Sequence, residues 1–201
     1  MAELSLQTLA GCGLAIGAYP RFRYDARGGG GFGVLLAADR PDADSGFGPD
    51  SGIGSGTLRF DPAALMIPPL DWSTTRFLGL PLPPGLAITI HPERLEGRLD
   101  GATGAMALQF HARFRFAIGA FYRAPDLVVA TTLGTGSVQG LRHQARGQPL
   151  DADGRALLVG VASVAPSGDS WLDRFLGLPD EALALLRCRL ERREPDGQDL
   201  T

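Results

Sequence analysis

Met106-Ala-Leu-Gln-Phe-His-Ala-Arg-Phe-Arg-Phe-Ala-Ile118 is the stretch that decides the fold. Met106, Leu108, Phe110, Ala112, Phe114, Phe116 and Ile118 stand at every second position, with Ala107, Gln109, His111, Arg113, Arg115 and Ala117 between them. A period of two puts the first set on one face of a strand and the second on the other. A helix would scatter the same aromatic rings around its circumference. Strands this long belong to strongly curved antiparallel sheets or barrels.

Reading outward from this strand, residues 127–133, 137–142 and 156–165 have strand character, and Gly- and Pro-containing breaks separate them. That spacing predicts an antiparallel meander. Residues 57–61 and 86–92 add two shorter strands upstream. Residues 15–24 read as one strand, with Phe22 and Tyr24 on one face and Arg21 and Arg23 on the other; residues 25–31 form a glycine-rich turn that returns the chain through 32–37. Leu186, Cys188 and Leu190 alternate with Arg187, Arg189 and Glu191, which favours a last strand over a helix opening at Asp180. Residues 38–56 are almost wholly Asp, Gly, Ser and Pro and read as a mobile surface loop, and residues 195–201 as a disordered tail. Residues 1–194 then make a single β-rich domain.

One signature recurs. Arg76-Phe-Leu-Gly-Leu-Pro81 is repeated without change as Arg174-Phe-Leu-Gly-Leu-Pro179, and each copy follows a tryptophan, Trp72 or Trp171. Asp71 or Ser73 and Asp169 or Ser170 can cap the first free amides of a helix. Gly79 and Gly177 suit the left-handed residue that ends one, and Pro81 and Pro179 forbid continuation. Two short helices are therefore predicted, each leading into a strand, in a pattern that suggests internal duplication. Their Trp, Phe and Leu side chains would plug the ends of a barrel, or else form the lips of a pocket. One extra residue between Trp72 and Arg76 turns that tryptophan by about 100° on a helix, so the two need not do the same work. The expected fold is mainly β: a curved antiparallel sheet or β-barrel with two short capping helices.

Composition narrows the function by exclusion. The chain has 201 residues, 44% hydrophobic and 20% charged, which suffices for a core without metal or disulfide. Glycine at 28 and proline at 15 favour turns over long helices. All 19 basic side chains are arginine, neither lysine nor asparagine occurs, and the bias fits a GC-rich bacterial genome. A net charge of −3 gives no chain-wide basic excess for nucleic acid. Cys12 and Cys188 are too few for a disulfide framework. No apolar run is long enough for a transmembrane helix. Leu9-Ala-Gly-Cys12 resembles a lipobox, but Met1-Ala2-Glu3 supplies no basic leader, so a cytoplasmic protein is expected, and a lipoprotein only if the start codon lies upstream.

Catalytic and cofactor motifs are not found. No Gly-x-Ser-x-Gly elbow occurs, and Gly28–Gly31 and Gly52–Gly56 lack the spacing of phosphate or dinucleotide loops. His91, His111 and His143 are dispersed, so neither a zinc set nor any cofactor is implied. His91 with Glu93, or His111 with some carboxylate, are the acid–base candidates. Arg21-x-Arg23, Arg113-x-Arg115 and Arg187-x-Arg189 all fall on predicted strands, each pair on one face, and together could form a basic patch for phosphate, carboxylate or lipid head groups. The leading expectation is a non-catalytic protein holding a small apolar or amphipathic ligand, with Phe114, Phe116, Trp72 and Trp171 around it and Arg21, Arg23, His111, Arg113 and Arg115 as polar contacts. The alternatives are a protein-assembly module built on the repeated signature and an enzyme using a histidine on an apolar substrate.

Overall fold

The computed structural model describes residues 1–37 and 53–193; the expected loop therefore lies mostly, and the expected tail wholly, outside the described residues. The strands in chain order are β1 (Ala2–Thr8), β2 (Cys12–Ile16), β3 (Phe22–Tyr24), β4 (Gly30–Ala37), β5 (Gly56–Phe60), β6 (Thr75–Phe77) and β7 (Leu80–Pro81). The two longest follow, β8 (Leu86–Asp100) and β9 (Ala105–Ile118), then the short β10 (Tyr122–Arg123). The chain continues with β11 (Leu127–Gly134), β12 (Ser137–Gln139), β13 (Gln144–Arg146), β14 (Arg155–Val164), helix α1 (Ser170–Leu176) and β15 (Asp180–Arg192). A 3₁₀ turn, Pro62–Ala64, links β5 to the next segment.

Eight strands close on themselves in the order β1-β4-β5-β8-β9-β11-β14-β15 and back to β1, all antiparallel. The strand at 106–118 is β9, as its alternation predicts. Met106, Leu108, Phe110, Ala112 and Phe116 are buried on its inner face, and Phe114 partly so. β8 and β9 form a long hairpin whose turn is held by Asp100, which accepts from the amides of Ala102 and Thr103. The register slips between Pro92 and Arg94, because proline brings no N–H to the ladder.

β15 forks. Its residues 188–192 pair with β1 and close the ring, while 182–185 pair with β2. From β2 the sheet continues through β3, β6 and β7 as a flap across one end of the ring. A tight cluster around Leu4, Leu58, Phe60, Leu108, Leu158 and Leu190 fills the opposite end. A second cluster, Phe116, Ala124, Leu127, Val164 and Leu172, surrounds α1.

Several sequence expectations are corrected. Residues 15–24 are not one strand: Gly17, in the left-handed region, and Pro20 break them into β2 and β3, which pair with each other. The turn at 25–31 therefore does not join a hairpin, since β3 pairs with β2 and β6 and β4 with β1 and β5. β12 stops at Gln139, and β15 leaves no helix after Asp180.

The repeated hexapeptide adopts two structures. Its second copy ends helix α1: Asp169 accepts from the amides of Trp171 and Leu172, and Gly177 takes the left-handed cap. Its first copy is the β6–β7 hairpin, turning at Leu78 and Gly79, both at positive φ. Asp71 accepts from the amides of Ser73 and Thr74, but β-branched Thr74 and Thr75 then favour extended backbone over helix. Thr75 is fully buried opposite Tyr24, and Arg76 stands opposite Arg23. Pairing with β3 decides the outcome, so among the described residues there is one α-helix where two were expected.

Candidate functional site

Between the packed end of the ring and the flap lies a cavity of about 320 Å³. One wall is aromatic, formed by Phe110, Phe114 and Phe116 of β9. The facing wall is made of small residues. Gly160 stands opposite Ala184 and Ala162 opposite Ala182, so this part of the β14–β15 ladder projects little side chain there, with Val164 and Leu183 at its margin. Leu14 and Ile16 of β2, Phe22 of β3 and Phe77 of β6 form the flap side, and Phe175 and Leu176 of α1 close the end. The void follows from the pairing of small with small on one side and aromatics on the other.

Two hydroxyl groups reach the lining, and the protein already uses both. Thr131 Oγ1 donates to Val161 O at 2.7 Å, and Tyr19 OH donates to Phe175 O at 2.5 Å. Among the described residues no carboxylate, histidine or guanidinium lines the space. A smaller apolar space of about 90 Å³ lies behind it, and Leu14, Phe110, Phe114 and Ala184 form the shared partition.

The mouth is built from the repeated signature. Phe77 of the hairpin and Phe175 of the helix are the same position in the two copies. They approach Tyr19 from two sides, with ring centroids at 6.4 and 6.0 Å. Phe77 stacks on Phe22 at 4.6 Å, and Phe175 stacks on Trp171 at 5.2 Å with planes 3° apart. Trp171 also meets Tyr122 at 5.0 Å and Phe116 at 6.4 Å. This end exposes further apolar side chains: Phe121 is 98% exposed, Leu78 72% and Leu80 70%.

The residues singled out from sequence separate into groups. Phe114 and Phe116 line the cavity, and Trp171 buttresses its lip through Phe175. Trp72 is 59% exposed and makes no ring contact among the described residues; its carbonyl accepts from Arg76. Arg113 and Arg115 lie on the outer face of β9, where Glu93 holds the first at 2.5 Å and Asp126 the second in two contacts at 2.9 and 3.1 Å. The Arg115 guanidinium keeps the Asp126 carboxyl below its usual range, against a smaller opposing effect of burial. His111 and His91 also face outward, across from Arg94 and Arg113. Arg187 and Arg189 of β15 are three ladder steps from β9, roughly 14 Å at the usual strand spacing, so the six arginines do not make one patch. Arg21 and Arg23 lie on the side of β3 away from the cavity, and sequence reasoning did not single out Arg76 beside them.

Cys12 and Cys188 are both buried in free form, and burial pushes both thiols up. The Cys12 thiol packs inside β2 and donates to Leu9 O. Among the described residues no three or more His, Cys, Asp or Glu side chains gather to hold a metal ion, and no helix is long and apolar enough to cross a membrane. No family model matches the chain, and neither a curated protein nor a solved structure is detectably similar to it.

Proposed function

We propose that the protein is a non-catalytic binding protein that encloses a small apolar molecule, or the apolar part of an amphipathic one, beneath its curved sheet. The observation that carries this reading is the cavity of about 320 Å³ whose two lining hydroxyls are both committed to protein carbonyls. Ligand pockets of small molecules begin at about 300 Å³. With no free polar group in the wall, recognition rests on apolar surface and shape, and a ligand that carries a polar group keeps it at the mouth. The histidines stand outside this space, so the reading as an enzyme acting on an apolar substrate finds no acid or base there.

The native mass of the freshly purified protein, compared with its denatured mass, tests this. A surplus of small-molecule size is expected, and Ala184→Leu, which fills the space from the small-residue wall, should abolish it without lowering the melting temperature. A bare chain that also fails to take up N-phenyl-1-naphthylamine would sink the reading. The exposed Leu78 and Leu80 support a second reading, a self-assembly contact through the hairpin. For that, the native mass would be a dimer's, and Leu80→Glu would return it to the monomer.

A further inference from the structure

We propose that the outer face of β2, β3 and β6 is a binding site for a phosphate group, held by Arg21, Arg23 and Arg76 with Arg187 at its edge. The strand register creates it. Gly13, Arg23 and Arg76 stand side by side across three neighbouring strands, so their side-chain positions share one face. Arg21, two residues before Arg23, falls on the same face and lays its Cδ over Gly13, 3.3 Å from where a Cβ would stand. Arg187 passes equally close to Gly11. Without Cβ atoms, the two glycines let these arginines lie close to the backbone along a cleft of about 530 Å³.

Charge in this cleft is unbalanced. What sets it apart is that its arginines gather on one face. Elsewhere on the outer surface some strand arginines, such as Arg98 and Arg155, stand singly among the described residues. Others are held by carboxylates: Arg59 by Glu96, Arg113 by Glu93, Arg115 by Asp126 and Arg189 by Glu191. Among the described residues Arg21, Arg23 and Arg187 have no such partner, and Arg76 donates only to the carbonyls of Trp72 and Thr75. Asp25, the one carboxylate in the cleft, is already held by Arg27 at 2.6 Å. Arg23 directly opposite Arg76 is a like-charge pair, which weakens a sheet unless an anion sits between. Planar guanidinium forks match phosphate oxygens two at a time. The site is separate from the cavity: Phe22 points into the cavity, while Arg21 and Arg23 on either side of it point out.

Calorimetric titration with inorganic phosphate at low chloride tests this, alongside flotation with phosphatidylglycerol and phosphatidylcholine vesicles. The comparison is Arg23→Gln, which removes a side chain without structural partners. Wild type is expected to bind phosphate at one site and to melt at a higher temperature in its presence. Arg23→Gln should bind at least about tenfold more weakly. It should also melt no lower than wild type in phosphate-free buffer. Binding to phosphatidylglycerol alone, lost in Arg23→Gln, would support the site and identify its phosphate as a lipid head group. Binding to neither, or binding undiminished in Arg23→Gln, would overturn the proposal. Ala184→Leu should leave phosphate binding intact, which separates this outcome from failure of the cavity reading.

Discussion

Glu181 shows how much one side chain can organise in this molecule. It is 8% exposed at the start of β15, and its carboxylate accepts the amides of Leu141 at 2.6 Å, Arg142 at 3.1 Å and His143 at 2.7 Å. It thereby supplies the acceptors that the turn between β12 and β13 lacks. Burial pulls its pKa up, but the three amides outweigh this and hold it below its ordinary value of 4.5. A depressed carboxylate stabilises the fold above its unfolded pKa and loses that stabilisation as pH falls through the folded one. Glu181→Gln, which sets an NH₂ against backbone donors, should therefore cost about 2 kcal/mol at neutral pH. The gap between variant and wild-type melting temperatures should close progressively below about pH 4.5. A gap that stays constant down to pH 3 would show that the ionised form is not what matters. None of this was legible in the sequence, because Glu181 stands there ahead of the alternating residues 186–191, where a helix opening was the competing reading, and its partners lie some forty positions earlier.

At the scale of elements, legibility tracks how local the deciding interactions are. β9 announces itself, since alternation and aromatic content lie within its own residues. The helix at 170–176 is also locally specified by its Asp169 cap and Gly177 stop. The identical string at 76–81 becomes a hairpin because Thr75 and Arg76 pair with Tyr24 and Arg23, some fifty residues away. The sequence marks residues 32–37 as a strand and the sheet as curved, but β1 was not read, and the partners that close the ring, β1 with β4 and β15, are specified only at a distance. The two tryptophans give a test of this difference. Trp171→Ala removes contacts to Phe116, Tyr122 and Phe175 and should destabilise by about 2–3 kcal/mol in denaturant unfolding. Trp72→Ala, at an exposed position without ring contacts, should stay within about 0.5 kcal/mol of wild type. Equal effects would mean that the two copies of the signature carry the same load.

For the whole molecule, the ring divides into a filled end and a hollow one. Leu4 and Leu6 at the β1–β15 seam are almost fully buried in the filled end, whereas Leu78 lies on the hairpin beside the hollow one. Leu6→Ala should cost about 2–4 kcal/mol in denaturant unfolding, and Leu78→Ala almost nothing. If instead Leu78→Ala weakened uptake of apolar molecules while leaving stability unchanged, the hairpin's exposed side chains would be part of how ligand reaches the mouth. The sequence anticipated the aromatic wall of the cavity, because Phe114 and Phe116 stand in β9. It gave no sign of the facing wall, since Gly160, Ala162, Ala182 and Ala184 acquire meaning only when β14 and β15 are laid side by side.

The fork in β15 also sets an order in time. Residues 4–8 find their second neighbour only in residues 188–192, and β14 finds one only in β15. While the chain emerges from the ribosome, everything from β1 to β14 must wait with two sheet edges open, prone to pair with other chains. The last strand then seals the ring and sets Ala182 and Ala184 in the cavity wall, so the enclosed space exists only once the final strand is in place.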